Sequence, residues 1–114
     1  MLIDIIKARH SIRKYTGEQI RRDDLEKILE AGNFAPNAGG GQRSMILQAT
    51  ELGIASCIIS RGYETFDSEE GRRLMSEWGV PEGYACQGFV ILGYIDGKQP
   101  KSKPRKPGRI KIVE

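Results

Sequence analysis

The chain has 114 residues, of which 39% are hydrophobic and 29% charged, a composition typical of one compact globular domain and not of a disordered or fibrous chain. Its longest apolar run, residues 89–92, is too short to cross a bilayer, and no signal peptide opens the sequence, so we expect a cytoplasmic protein. The formal net charge of +3 is concentrated in residues 96–114, where seven basic residues face two acidic ones, and such a tail could bind nucleic acid, an acidic membrane surface or a phosphorylated cofactor.

Two helices and a glycine-rich loop are predicted in the N-terminal third of the chain. A short helix covers roughly residues 2–9, and residues 11–19 follow it as a non-helical stretch. A second helix starts at a capping-box-like signal at Asp23, and Gly32 is its predicted C-terminal stop. The loop 33–43 then contains three consecutive glycines, so it is predicted to be the most flexible stretch of the chain.

Two further helices and a first strand are predicted after this loop. Ser44 is a suitable N-cap for a third helix that Gly53 closes. The continuous apolar run 54–59 has the length and composition of a buried strand. Ser68 caps another helix, which Gly79 ends.

The C-terminal end of the chain is predicted to hold a second strand and an extended tail. Residues 88–95 form another continuous apolar run, the kind of strand that is buried on both faces. The proline- and lysine-rich segment after it should be extended, and residues 110–113 could add a strand. Two strands are too few for a self-sufficient sheet, so either another subunit completes it or a portion of the domain is absent.

Two cysteines and one histidine bear on redox and metal chemistry. Cys57 and Cys86 lie in apolar surroundings, which favours reduced, buried thiols in a cytosolic chain. The sequence has no Cys-x-x-Cys pair, and His10 is its single histidine. We therefore predict no metal site.

A basic segment after the first helix is the first candidate binding site. If this segment is extended, the side chains of Arg9, Ser11 and Arg13 point to one face. Two guanidinium groups and a hydroxyl suit a phosphate or another ligand rich in hydrogen-bond acceptors. The alternative is a solvated basic patch at the C-terminal end of a helix, where the helix dipole favours cations.

A loop and the tail supply two weaker candidates. Asn37, Gln42 and the backbone N–H groups of the loop glycines could bind the edge of a planar heterocycle, although the spacing is not that of a dinucleotide fingerprint. The alternative is a flexible loop without a ligand. Arg105 and Lys106 lie between two prolines that stiffen the chain, which would help them clamp an anion, or they belong to a solvated tail.

Taken together, these segments resemble the nitroreductase family of flavin enzymes. The segments that carry the resemblance are Arg9-x-Ser11-x-Arg13, Leu25–Gly32 running into Ala35–Gly39, Leu52–Cys57, Trp78–Tyr84, Ile91–Tyr94 and Pro104–Pro107. They occur in family order from residue 2 to about residue 113, and jointly they are specific. The resemblance implies an α+β fold with helices around a small, reduced β-sheet that dimerisation completes. It also implies an FMN-binding homodimer that uses NAD(P)H to reduce nitro, quinone or similar small electron acceptors.

The resemblance also implies roles for individual residues. Arg9, His10, Ser11 and Arg13 would contact FMN, and Arg105 and Lys106 would meet its phosphate; Pro36, Asn37 and Ala38 would reach the flavin of the other subunit; Ser60 and Arg61 would occupy the positions whose backbone N–H groups face the reactive ring edge. No catalytic side chain is assigned, because the flavin supplies the hydride chemistry.

The sequence departs from the family's pattern after the glycine-rich loop. Residues 44–49 resemble a central helix that comes much later in the family, which indicates a deleted middle block between Ser44 and Met45. We therefore interpret the whole chain as one truncated domain, in which residues 1–43 form the FMN-binding segment and residues 44–114 the C-terminal segment.

Two other functions stay open at this point. A truncated relative could act only as a flavin-binding or dimerisation module, without turnover. The basic tail could instead bind nucleic acid or an acidic partner, although it lacks the interleaved aromatic residues that favour nucleic acid, and the rest of the chain is net negative.

Overall fold

Five helices and two strands make up the regular structure of the residues that the computed structural model describes, 1–36 and 40–114. In chain order they are α1 (Leu2–Ala8), α2 (Arg22–Asn33), α3 (Gly40–Glu51), β1 (Ala55–Ile59), α4 (Gly62–Phe66), α5 (Glu69–Glu77) and β2 (Phe89–Gly93). β1 and β2 pair antiparallel, with Ala55 opposite Gly93 and Ile59 opposite Phe89. The predicted α+β class is confirmed, with a sheet of two strands in the described portion of the chain.

The core lies between α2, α3 and the start of β1. Ile28 of α2 and Ala49 of α3 are fully buried and pack with Ile54. A Cβ built at Gly32 would lie only 2.7 Å from Cγ of Met45, so glycine lets α3 approach α2 closely. The predicted helix stop at Gly32 is wrong, because this residue is a contact point between two helices and α2 continues past it to Asn33.

The start of α2 also differs from its prediction. The helix begins at Arg22, and its N-cap residue, Arg21, makes no side-chain capping hydrogen bond. Asp23 therefore lies inside the first turn, where its negative charge interacts favourably with the positive end of the helix dipole.

α3 begins four residues earlier than the predicted cap at Ser44. The Gln42 side chain in its first turn donates a hydrogen bond from Nε2 to the carbonyl oxygen of Phe89, at 3.2 Å, and so ties this turn to β2. The predicted loop 33–43 is correspondingly shorter. The end of α3 follows the prediction, since Gly53 has a positive φ of 74° and the N–H of Ile54 bonds back to the carbonyl of Ala49.

The remaining helices show one prediction confirmed and one element missed. Ser68 caps α5, its Oγ accepting a hydrogen bond of 3.0 Å from the N–H of Gly71, and Gly79 follows the helix with a φ of 79°. The five-residue helix α4 was not predicted, because it has neither a capping side chain nor a periodic apolar pattern.

The second strand is shorter and more exposed than its sequence predicts. β2 covers Phe89–Gly93, and 42% of the surface of Ile91 is exposed, so burial on both faces is wrong. The strand has one neighbour in the described sheet, and Ile91 stays partly exposed. Residues 110–113 form no strand here, and the whole tail beyond residue 95 is exposed.

Both cysteines are free thiols, as predicted. Cys57 in β1 is buried, whereas Cys86 is only half-buried, so the predicted burial holds in full for one of them. None of the described helices has the length and apolar character that a membrane-spanning segment requires.

Candidate functional site

An open cleft of about 380 Å³ lies where α1 ends against the start of β1, and we call it the Arg9 cleft. Its walls come from the residues that end and follow α1, from residues 53–56 at the start of β1, and from tail residues Gln99, Pro100 and Ser102. Its volume lies within the range of small-molecule sites, about 300–1,000 Å³. Arg9 and His10 both line it, so two of the predicted site residues share one cavity.

A second cleft, of about 290 Å³, adjoins the first and is called the Arg13 cleft. Ser11, Arg13 and Lys98 line it, and the two clefts share three wall residues, among them Ile12. Arg9 lines the first cleft, whereas Ser11 and Arg13 line the second, so the three predicted residues are divided between two adjoining clefts.

The pairing of residues 11–15 explains this division. Ser11 pairs with Ser56 in a parallel bridge, and the N–H of Ile12 donates to the carbonyl of Ser56 at 3.0 Å. The Ile12 side chain is buried between the two clefts. Arg9 precedes this pairing and is the C-cap of α1. The direction of its side chain is therefore set by the end of the helix and not by the alternation of side chains along a strand.

Tail residues are fastened across the Arg9 cleft by side chains that the sequence did not single out. Nε2 of Gln99 donates to the carbonyl of Ala8 at 3.2 Å, and Oγ of Ser102 lies 3.3 Å from Nε2 of His10. Both contacts join residues about ninety positions apart in the chain, so no local pattern signals them.

The two clefts are strongly basic. Their walls carry five basic side chains and one carboxylate, namely Lys7, Arg9, Arg13, Lys14, Lys98 and Asp96. Asp96 pairs with Lys14 at 3.8 Å, and among the described residues neither Arg9 nor Arg13 forms an ion pair. Unpaired guanidinium groups in a cleft favour an anionic or acceptor-rich ligand.

Tyr15 supports the segment that carries these arginines. Its hydroxyl donates a hydrogen bond to the carbonyl of Ile12, and its ring packs against Gly93 of β2. Burial raises the pKa of the Tyr15 phenol, the nearby Cys57 thiol raises it further, and Arg13 acts in the opposite direction. The phenol therefore stays neutral and keeps its hydrogen bond at physiological pH.

The predicted loop residues lie apart from the two clefts or already have partners. Pro36 is exposed just after α2, while Asn37 and Ala38 lie outside the described residues. The side chain of Gln42 is engaged with the backbone of β2, so it serves the packing of α3. Neither Pro36 nor Gln42 lines the Arg9 cleft or the Arg13 cleft.

Four further predicted residues are exposed and line neither cleft. Ser60 and Arg61 follow β1, and the carbonyl of Arg61 accepts a hydrogen bond from Oγ1 of Thr65. Arg105 and Lys106 lie in the extended tail, beyond the residues that close the Arg9 cleft. The structure thus brings Arg9 to Arg13 together and leaves the predicted phosphate clamp separate.

Ser56 is a residue of the Arg9 cleft that sequence reasoning missed. It lies on the wall of the cleft and is only 2% exposed, and its hydroxyl has no hydrogen-bond partner among the described residues. Its position inside an apolar strand gave no signal of a polar role. Within residues 1–36 and 40–114, no group of three or more His, Cys, Asp or Glu side chains could hold a metal ion.

Comparisons with known proteins point to one family. The model of the nitroreductase family matches residues 6–44. A protein of Archaeoglobus fulgidus, named as a candidate NADH dehydrogenase/NAD(P)H nitroreductase, is 48% identical over 40 residues, which are 35% of this chain and 23% of the relative. The crystal structure of an FMN-bound nitroreductase from Bacteroides fragilis superposes with a TM-score of 0.91 at 28% identity, covering 99% of this chain and 98% of that one. The chain is thus similar to the nitroreductase family in sequence over residues 6–44 and to an FMN-bound nitroreductase in fold over nearly its whole length.

A second solved structure extends the likeness in fold alone. An FMN-bound nitroreductase from Desulfitobacterium hafniense superposes with a TM-score of 0.84 at 20% identity, over 99% of this chain and 98% of that one. The match to the curated relative spans less than a quarter of that protein's length. The stretch that matches the family model contains Arg9–Arg13, which supplies part of the walls of both basic clefts.

Proposed function

We propose that this chain binds FMN in the Arg9 and Arg13 clefts and acts as an NAD(P)H-dependent oxidoreductase of the cytoplasm. The observation that carries the proposal is the pair of adjoining basic clefts on the segment that matches the family model, with Arg9 and Arg13 free of carboxylate partners in the described residues. The proposed acceptors are nitro compounds, quinones or similar small electron-poor molecules.

The residues present fit the chemistry of FMN. Guanidinium groups suit its phosphate and carbonyl oxygens, and the half-buried Ile95, which lines both clefts, offers apolar surface to a planar ring system. A basic cleft that combines these features suits an anionic nucleotide better than a neutral metabolite.

The protein's role in the proposed reaction is binding, orientation and electrostatics. FMN supplies the hydride-transfer chemistry when it is bound. Arg9 and Arg13 hold electron-rich groups of the ligand, and the Tyr15 hydrogen bond to Ile12 fixes the backbone between them. The backbone contacts of Ser60 and Arg61 and the phosphate contacts of Arg105 and Lys106 that the resemblance implies stay part of the proposal, although these four residues line neither cleft.

We also propose that the active form is a homodimer. The radius of gyration is 16.6 Å, compared with about 13 Å for a compact domain of this size, and the residues beyond 95 are exposed. Ile110, Ile112 and Val113 are exposed apolar residues on that tail, and Ile91 is exposed on β2. A second copy would give both surfaces apolar partners, with Pro36, Asn37 and Ala38 directed towards its flavin.

The truncation of the domain belongs to this proposal as well. The proposed junction between Ser44 and Met45 falls inside α3, which continues through it without a break. If a block is missing at this point, α2 and α3 still pack on each other without it, and the core between them stays intact.

A flavin-binding or dimerisation module without turnover is the second candidate. It is favoured by Arg105 and Lys106, which lie away from both clefts and leave the phosphate to the N-terminal arginines alone. Stopped-flow mixing of the FMN-loaded protein with NADH or NADPH separates the two candidates. Loss of the visible flavin absorbance on mixing supports the enzyme, and an unchanged spectrum supports the module.

Binding of FMN is tested first, by the absorbance spectrum of the purified protein and by titration of FMN fluorescence. We expect Arg13→Ala to weaken FMN binding by about 10-fold or more, the loss of one charge-assisted hydrogen bond. The matched control is Arg109→Ala, which removes an exposed tail arginine that lines neither cleft. Equal affinity in the two variants, or a wild-type protein that ignores FMN, would contradict the proposal.

The same preparation tests the nucleic-acid alternative. Binding of DNA through the basic tail should fall steeply with added salt. A protein that binds no DNA at low salt excludes this role.

A further inference from the structure

The tail segment beside the Arg9 cleft has no backbone anchor of its own in the described chain. We call residues 98–102 the strap; three of them line this cleft, and all five are exposed and lie outside helices and strands. The last backbone hydrogen bond before the strap joins the N–H of Asp96 to the carbonyl of Lys14, at 3.0 Å. None of the backbone–backbone bonds among the described residues involves the strap itself.

Two side-chain contacts fasten the strap to the end of α1. Nε2 of Gln99 donates to the carbonyl of Ala8 at 3.2 Å, and Oγ of Ser102 lies 3.3 Å from Nε2 of His10. Both contacts are exposed, so water competes for each of them and their net contribution is small. Segments with few buried contacts and exposed hydrogen bonds open at low free energy, so the strap is suited to open and close.

Gly97 supplies a hinge between the anchored and the unanchored part of the tail. Its φ is 112°, in a region that favours glycine, and a Cβ built there would have no atom within 4 Å apart from those of its chain neighbours. Glycine is therefore required by the backbone conformation and not by close packing. The residue lies directly between Asp96, whose N–H is bonded, and the strap.

The charges at this contact indicate how a ligand would act on it. The bond between Gln99 and Ala8 brings their chain neighbours near each other. These neighbours are Lys98 on the strap and Lys7 and Arg9 at the end of α1. Like charges weaken the closed strap in the free protein, whereas an anion between them attracts both sides and favours closure.

We propose that the strap is a gate of the Arg9 cleft, which turns about Gly97, opens to admit an anionic ligand and closes over it. Gln99 and Ser102 are positioning residues that keep the strap closed. The proposal rests on the proposed function, because it takes FMN as the ligand. Since both side-chain bonds exist in the closed strap with and without ligand, they cancel in the dissociation constant but count in the rates of entry and release.

The first experiment measures opening of the strap in the FMN-free full chain by limited digestion with trypsin. Trypsin cleaves after Lys98 and Lys101 in the strap and after Arg109, which lies beyond it and is the internal control. In the double variant Gln99→Ala/Ser102→Ala we expect cleavage in the strap to be about 3- to 10-fold faster, because the open form is more populated. Cleavage after Arg109 should be unchanged.

Matched variants outside both clefts control for the loss of a hydrogen bond and for backbone strain. Gln48→Ala removes a glutamine hydrogen bond of the same length, 3.2 Å to Glu51, and should leave strap cleavage at the wild-type rate. Gly97→Ala and Gly83→Ala both place alanine at a positive φ, 112° and 90°. Only Gly97→Ala should speed strap cleavage, because Gly83 is not on the tail and lines neither cleft.

The second experiment follows FMN binding and release by stopped-flow fluorescence. In the double variant both the association and the dissociation rate constants should rise about 3- to 10-fold, with the dissociation constant within about two-fold of wild type. A residue that only contacted the ligand would raise the dissociation rate constant alone. Addition of FMN to wild type should also slow cleavage after Lys98 and Lys101, because the anion favours the closed strap.

Three outcomes would overturn the strap while leaving the proposed function intact. They are equal strap cleavage in the double variant and wild type, strap cleavage that bound FMN does not slow, and a rise in the dissociation rate constant alone. Failure of wild type to bind FMN is a separate result, which overturns the proposed function and the strap's role as its gate together. The digestion without FMN distinguishes the two failures, because it reports on the strap in the free protein.

Discussion

The contact between Gly93 and Tyr15 links the sheet to the basic clefts, and we predict that Gly93→Ala disrupts it. A Cβ at position 93 would lie 2.8 Å from Cδ1 of Tyr15 and 3.4 Å from its Cγ. Carbon atoms in favourable contact are about 3.5–4.0 Å apart, so the ring would have to move by about 0.7–1.2 Å. Because the Tyr15 hydroxyl bonds to the carbonyl of Ile12, the displacement reaches the backbone between Arg9 and Arg13.

The magnitude follows from two opposing effects. Insertion of a methyl group into packed surroundings costs about 1–3 kcal/mol, whereas replacement of a glycine by alanine at a compatible backbone position gains about 0.4–1 kcal/mol. Gly93 does not have a positive φ, so the backbone accepts alanine. We therefore expect a net loss of about 1–2 kcal/mol in the free energy of unfolding.

A double-mutant cycle measured by urea unfolding tests the cause of this loss. In the Tyr15→Ala background the obstructing ring is gone, so Gly93→Ala should be neutral or slightly stabilising. The coupling free energy between the two positions should then be at least about 1 kcal/mol. Gly17→Ala is the control for alanine substitution as such, because no other atom lies within 4 Å of a Cβ built there.

The reasoning fails if Gly93→Ala costs the same free energy with and without the Tyr15 ring. Such additivity would mean that the loss comes from the strand itself and not from the contact. FMN titration of the single variant adds a functional measurement, since a displaced Ile12 backbone should weaken binding in the proposed site.

Two further predictions concern pH dependence and helix packing. Because the pKa of Tyr15 is raised above 10.0 in the folded state, its neutral form contributes stability that is complete below pH 10.0 and is lost as the pH rises through the folded pKa. Urea unfolding should therefore show a steeper alkaline loss of stability in wild type than in Tyr15→Phe, and parallel curves would contradict this assignment. Gly71→Ala would place a Cβ 2.5 Å from Cα of Phe66, so it should lower the free energy of unfolding by about 1–3 kcal/mol. Replacement of a glycine by alanine inside a helix usually has the opposite, stabilising effect. A raised melting temperature of the variant would refute the close packing of α4 on α5.

Local signals in the sequence determined where several elements begin and end. Ser68 accepts the capping hydrogen bond that its position predicts, and Gly53 and Gly79 end their helices with positive φ. The apolar run at the first strand also predicted β1 to within one residue. Each of these features depends on residues within one turn of each other, so a short stretch of sequence contains the whole interaction.

Tertiary contacts overruled local signals where two elements meet. Gly32 reads as a helix stop, but Met45 packs over it and α2 continues. Gly40 and Gly41 read as loop, but they lie in α3, and the bond from Gln42 to Phe89 ties this first turn to β2. The partner in each case lies more than ten residues away, and its position depends on how the core closes.

The candidate site divides in the same way. The sequence by itself determined that residues 9–13 form a basic, family-like segment, because its composition and order are local properties. Only the tertiary structure decided that Arg9 and Arg13 face neighbouring clefts, that tail residues close one of them, and that Ser56 lies there without a partner among the described residues. The physical reason is that a hydrogen bond, or the lack of one, is fixed by which distant groups the fold brings within about 3 Å.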